Sequence, residues 1–357
     1  MNKTNQLDFS GSTIYSGVDV HKKQWRVNIQ DEEFELEDFS QDPNPIVLYS
    51  HLKRRYPNAK YVIGYEAGFC GFNAQRILTD LGVTCYVVNA ADVPTTDKEK
   101  RQKKDKVDAR KLCDFMKSSK AKSIYIPTVS WEHGRSLVRS RDCIVGDQTR
   151  VKNRIRQLLH FSGLPLPEQY DEGKYWSKKM IGYLQRMDCG SEDLRMALDL
   201  YIQQYLQTRS LVLNATKAIR KLCKEPAYAA GIMWLRSIPG IGLINAATIL
   251  FEIQDISRFK TLDDLCSYAG LVPETADTGD TKITKGITSR RNEFLRTALV
   301  ESSWTVVRKD AALLQKYNAY RKRMNKNKAI IRIAKHVLSR IRFVLSHQKE
   351  YVVDLPA

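Results

Sequence analysis

The sequence predicts an α/β domain followed by all-α domains. Three observations carry that expectation. Short apolar runs alternate with amphipathic stretches over the first 130 residues. Strand signals vanish from about Trp131 onward, where long polar helices take over. From about Gly231 a helix, a Pro-Gly-Ile-Gly turn and a second helix open a last, mainly helical third.

In order, STIYSGVDV is a short run with β-branched residues that ends near Asp19, and WRVNIQ and FELEDF alternate as half-buried strands do. IVLYSHLKRRY reads as a helix, YVIGYEAG as a strand closing at Glu66, GFNAQRILTDLG as a helix with a glycine stop, and CYVVNA as a buried strand. A further helix is expected to begin near Lys103. The order β-β-β-α-β-α-β-α implies a mixed sheet with helices on it. Residues 1–130 form this first domain. A helical, coiled-coil-like domain is expected over 131–230, with helices over roughly 133–161 and 191–224. Leu137, Ile144, Val151, Ile155, Leu158 and Leu159 make one apolar stripe on its first helix, and Arg135, Arg139, Arg141, Arg150, Lys152, Arg154 and Arg156 sit on the other faces. That pattern serves a solvated hairpin as well as an arm that dimerises or touches nucleic acid. The third domain, 231–357, continues with a helix at FKTLDDLCSYAGL, a long polar loop at PETADTGDTKITKG and a helix at FLRTALVESSWTVVRK.

Charge sets the class of partner. With 58 Lys+Arg against 40 Asp+Glu, the formal net charge is +18, which attracts polyanions, nucleic acid before membrane. The seven cysteines form no C-x-x-C pair, which argues against structural zinc or a disulfide framework and fits a reducing compartment. The polar start MNKTNQLDFS lacks a signal-peptide core, and no apolar run approaches the ~20 residues that span a bilayer. A soluble, cytoplasmic protein, with no membrane partner, is expected.

Two constellations bear on chemistry. SIPGIGLINAA has the form of a helix-hairpin-helix, in which Gly240 and Gly242 let the backbone turn and aim N–H groups at a phosphate. A glycine-rich turn without a ligand has the same spelling. Asp19 and Glu66 close strands, while Asp105 and Asp108 in KKDKVDARKL stand three apart on one helix face. Four carboxylates at one end of a sheet repel unless cations lie between them. Mg²⁺ takes oxygen ligands, and two such ions clamp the oxygens of a phosphodiester. Singly, each of these residues is an ordinary surface carboxylate; together, in this β/α order, they point to a metal site.

GVDVHK, GYEAG and KKDKVDARKL resemble the RuvC-like, ribonuclease-H-fold domain of the DEDD insertion-sequence transposases, the family of bridge-RNA-guided recombinases and the pilin-gene inverting recombinase. SIPGIG, SYAGLVP, TGDTKITKGIT and LRTALVESSW resemble that family's second conserved domain. The resemblance implies a recombinase that cuts and rejoins donor and target DNA, with Mg²⁺ held by Asp19, Glu66, Asp105 and Asp108. It also implies a non-coding guide (bridge) RNA, a homodimer assembling into a tetramer, a site composed between subunits, and association with the nucleoid during action. Its other catalytic residue is a serine just before a glycine in the loop after G-L-x-P. This chain departs there: after Gly270-Leu271-Val272-Pro273 the residue before Gly279 is Thr278. Thr278 is a working nucleophile stiffened by its methyl, or a lesion that leaves a binding protein, or the hydroxyl is instead Thr275, Thr281 or Ser289.

The expected nucleic-acid contacts are Lys103, Lys104, Arg110, Arg154, Gly240, Gly242, Arg290 and Arg291, and in the tail Arg321, Lys322, Arg323, Lys326 and Lys328. Between Ala311 and Lys349 eleven lysines and arginines occur without one acidic residue. A phosphate backbone would neutralise them, with steep salt dependence. Besides recombination, the residues allow a metal-dependent junction endonuclease that ignores Thr278, or a nucleic-acid-binding relative without chemistry.

Overall fold

The computed structural model describes residues 8–94, 105–118, 121–167, 176–278 and 281–352, without the side chains of 105–106, 274–278 and 281–285. The chain divides into two compact units, Met1–Ile126 and Pro127–Ala357.

The first unit follows the expected order. Strands β1 (Thr13–Val20), β2 (Trp25–Gln30) and β3 (Glu35–Gln41) form an antiparallel meander, then α1 (Pro45–Arg55), β4 (Lys60–Glu66), α2 (Asn73–Asp80) and β5 (Thr84–Val88) follow, with α3 (Asp105–Lys117) last. The sheet order is β3-β2-β1-β4-β5, with β4 parallel to both β1 and β5. This mixed sheet is consistent with a ribonuclease-H-like fold. α1 starts where Asn44 accepts the Ile46 N–H and Pro45 supplies a ready-made first-turn φ. Its inner face, Leu48 and Leu52, packs with Ile14, Val27, Ile29 and Ile63 in the main core of the unit.

Two glycines set how close α3 comes to the sheet. Gly17 and Gly64 are register partners on β1 and β4. A Cβ on Gly17 would run into the Ala109 carbonyl and lie 2.6 Å from the Cys113 N; one on Gly64 would run into the Met116 thioether. At Gly17 the glycine marks close approach of another backbone, and at Gly64 close approach of a methionine side chain.

In the second unit, α4 (Val129–Phe161) and α6 (Glu192–Leu222) pair as long helices, with the short α5 (Lys178–Arg186) beside them. Val151, Ile155 and Leu159 of the expected stripe are buried, with Met180, Leu184, Leu198 and Ile202 opposite. Val138 rather than Leu137 is the buried residue nearer the start, and Ile144 is half-buried. Arg139, expected on a solvated face, is only partly exposed and pairs with the buried Glu252.

The remaining helices are α7 (Pro226–Ser237), α8 (Leu243–Ile253), α9 (Leu262–Ala269), α10 (Glu293–Lys309), α11 (Ala311–Arg321) and α12 (Lys326–His347). They share one large core, which includes Phe251, Leu265, Leu299, Ile333 and Val337. The stretch expected as a polar loop is instead a hairpin, β6 (Pro273–Thr278) against β7 (Thr281–Ile287). Thr275, Thr278, Thr281, Thr284 and Ile287 are β-branched, and that composition outweighs the polarity that suggested a loop.

Candidate active site

The sheet brings Asp19 and Glu66 to adjacent strand ends. Val18 pairs with Tyr65 in the parallel β1–β4 ladder, and the next residue on each strand is the carboxylate. Each lies two residues beyond a glycine that faces α3, so strand alternation puts both on that face. α3 descends along β1: Ala109 and Cys113 flank Gly17, and Lys117 Nζ donates to Gln30 Oε1 (3.2 Å), whose register partner is Tyr15. The helix N-terminus therefore stands toward the Asp19 end of the strand. The described part of the helix begins with Asp105 and carries Asp108 one turn on.

The Asp19 side chain is 18% exposed and the Asp108 side chain 24%, so both reach solvent from a recessed position. His21 Nε2 lies 3.0 Å from Asp19 Oδ2, and Lys111 Nζ 3.8 Å from Asp108 Oδ1. Arg26 is the register partner of Asp19 on β2; its guanidinium pairs with the half-buried Asp38 and donates to Ser40 Oγ (3.2 Å). Among the described residues no group of three or more Asp, Glu, His or Cys side chains is close enough to hold a metal; the Asp105 side chain lies outside them. The donor set of Asp19, Glu66 and Asp108 is all carboxylate oxygen, which suits a hard divalent cation.

His21 and Arg26 escaped the sequence reading. The signal for His21 was present in GVDVHK, where it stands two residues after Asp19 and just past the end of β1. Arg26 becomes visible only when the β1–β2 register is known.

Thr278 closes β6 opposite Thr281, the last register pair before Gly279 and Asp280, which lie outside the described residues. Ser289 is exposed beyond the hairpin.

The predicted nucleic-acid contacts separate by setting. Lys103 and Lys104 lie outside the described residues. Arg110 is exposed and pairs with Glu35 (3.2 Å). Arg154, Arg290, Arg321, Lys322, Arg323, Lys326 and Lys328 are exposed; Arg291 is exposed with Glu293 3.7 Å away. Gly240 has a packing reason of its own: its φ is +91° and a Cβ would sit 2.7 Å from the Val306 N. Gly242 is the N-cap of α8, with no side-chain cap and open space where a Cβ would point.

Residues 16–162 match the DEDD transposase domain of IS110 elements, and residues 233–318 match the transposase domain of the IS116/IS110/IS902 family. Over 85% of its length the chain is 23% identical to the transposase for insertion sequence element IS1111A of Coxiella burnetii, covering 85% of that protein. It is 24% identical to the transposase for insertion sequence element IS1533 of Leptospira borgpetersenii, over 69% of this chain and 71% of that one. It is 28% identical to the y4qE protein of Sinorhizobium fredii over 68% of this chain, and spans 57% of that protein's length. No helix among the described residues is long and apolar enough to cross a membrane. With both of the family's domains present in order and strand-end carboxylates at the start of the first, the chain belongs to the IS110/IS116 family of insertion-sequence transposases.

Proposed function

We propose that this chain is a DNA recombinase that cuts and rejoins strands through a covalent protein–DNA link, with divalent-metal chemistry at Asp19, Glu66, Asp105 and Asp108 and Thr278 as the nucleophile. One observation carries it: Asp19 and Glu66 end neighbouring parallel strands on the face that α3 covers, and α3 enters at that end with its D-x-x-D pair. These residues would hold Mg²⁺, which when bound supplies charge neutralisation for a phosphodiester. Lone carboxylates would instead repel it.

In the cutting step Thr278 Oγ forms a bond to phosphorus, and the bond from phosphorus to the neighbouring sugar oxygen breaks. The threonine proton is lost and the leaving oxygen gains one, so the link conserves a phosphodiester. Rejoining is the reverse, with a sugar hydroxyl as attacker. The methyl on Thr278 crowds this attack compared with serine. DNA is the substrate, a guide RNA is a second polyanion for the basic surface, and assembly proceeds through dimers to a tetramer.

The test incubates the protein with RNA, donor DNA and Mg²⁺ and looks for a DNA–protein adduct on denaturing gels. An adduct is expected, absent in Thr278→Ala and more abundant in Thr278→Ser. Nicked DNA without an adduct would replace this reading with a junction endonuclease; binding alone would leave no chemistry. Asp105→Asn is expected to lose cleavage while retaining DNA affinity, and a large loss of affinity would make that residue structural instead.

A further inference from the structure

A closed polar network lies at the foot of the β6–β7 hairpin. Glu252, near the end of α8, is 1% exposed. Arg139 of α4 donates to both its carboxylate oxygens, Nε to Oε1 and Nη2 to Oε2, each at 2.7 Å. Asn292 Nδ2 donates to Glu252 Oε2 (2.7 Å) and to the Tyr268 hydroxyl (3.0 Å), which itself donates to the Glu252 main-chain carbonyl (3.1 Å). The Asn292 N–H donates to the Tyr268 carbonyl (3.0 Å). The Arg139 guanidinium also lies 4.7 Å from the centre of the Phe294 ring.

Tyr268 precedes the hairpin and Asn292 follows it, so the network joins the two feet. Nearer the strands, the Thr288 N–H donates to the Val272 carbonyl (3.0 Å). Gly270 has φ +71°, and Arg291 fills the space where its Cβ would stand. A buried carboxylate destabilises a core unless fully paired, and an apolar side chain of its size would fill the same space without that cost. What the charge adds is direction: it draws donors from separate segments to one point.

We infer that Glu252 is the positioning residue of this hairpin. Through Asn292 and Tyr268 it fixes the two feet, and through Arg139 it ties them to α4. For catalysis this rests on the reading of Thr278 as nucleophile; for the order of the hairpin it does not.

Asn292 makes the idea testable, because its two ends do different work. Its Oδ1 caps α10 by accepting from the Leu295 N–H (3.1 Å), while Nδ2 serves the network. Asn292→Ser keeps a capping oxygen and removes the amide donor. The full chain carrying Asn292→Ser, and separately Glu252→Gln, is measured by hydrogen exchange, thermal melting, DNA affinity and adduct yield. Exchange at the β7 amides is expected to accelerate about tenfold relative to the α8 and α12 amides, and adduct yield to fall about tenfold, with DNA affinity unchanged. The double variant Arg139→Gln/Glu252→Gln, which removes both charges, should recover melting temperature without recovering adduct yield. Unchanged β7 exchange overturns the proposal, as does faster exchange with wild-type adduct yield, or adduct loss matched by uniform loss of folded protein. Should the wild type form no adduct, the Thr278 reading falls and β7 exchange alone decides the clamp.

Discussion

Gly17 shows how a single residue commits the first unit to its geometry. With hydrogen as its side chain, α3 lies close enough for the Ala109 carbonyl and the Cys113 N–H to reach the strand surface. That approach buries the Cys113 thiol and pushes it up to about 12, so the thiol stays protonated and inert across the neutral range. Gly17→Ala forces backbone against backbone, and is expected to lower stability by about 1–3 kcal/mol in urea unfolding. It should also lower cleavage, because α3 moves with its D-x-x-D pair. An alanine variant as stable as the wild type would mean that α3 does not rest on Gly17. The glycine was legible as a weak point in a β-branched run, but not as a contact, since its partner lies about ninety residues further along the chain. Glu252 is similar. A lone acid within ATILFEI announces a buried charge, yet Arg139, Tyr268 and Asn292 come from three other helices or their ends and no spacing rule joins them.

At the scale of elements, period-two and period-3.6 patterns located the first unit's strands and the paired helices α4 and α6, because each buries one face locally. The β6–β7 hairpin was missed because its strands are too polar for a burial pattern, and their pairing is visible only across the turn. The α11–α12 pair carries a pH prediction. Burial raises Asp310, but the Arg340 guanidinium and the Leu313 N–H more than offset it, leaving the carboxyl below its ordinary 3.8. His336, against the Tyr320 hydroxyl at 3.0 Å, is held below 6.5 by burial and by Lys316 and Arg340. Both folded groups release protons more readily than the unfolded chain, so both contributions are complete at neutral pH and are lost toward acid. The His336 contribution declines as pH falls below about 6.5, and the Asp310 contribution only below about 3.8. Melting temperature should fall in two steps, and His336→Gln should remove the first while leaving the second. A variant retaining the upper step would assign it to another group.

For the molecule as a whole the question is which of its cations remain available to a polyanion. The net charge of +18 and the acid-free stretch from 311 to 349 mark a basic tail that a phosphate backbone would neutralise. The fold sorts it. Arg340 reaches back to Asp310 at 2.6 Å, just outside the stretch, and Arg342 donates to the Lys260 carbonyl at 2.9 Å, so these two tie α12 to the start of α11 and to the segment before α9. Arg321, Lys322, Arg323, Lys326 and Lys328 cluster at the α11–α12 turn, all exposed. Exposed cations that meet phosphates release counterions, and each neutralised phosphate adds about 0.9 to the slope of log affinity against log salt on duplex DNA. Replacing Arg321, Lys322 and Arg323 together by alanine should lower that slope by roughly 0.9 for each phosphate these side chains neutralise, with the melting temperature nearly unchanged. Arg340→Ala should do the reverse. It leaves the Asp310 carboxylate buried without its charge partner, costing about 3–5 kcal/mol, while the salt slope stays where it was. Titrations of DNA at several salt concentrations, paired with melting curves, separate the two classes. A triple variant with the wild-type slope would move the nucleic-acid surface away from this turn and toward the cations flanking β7 and α3.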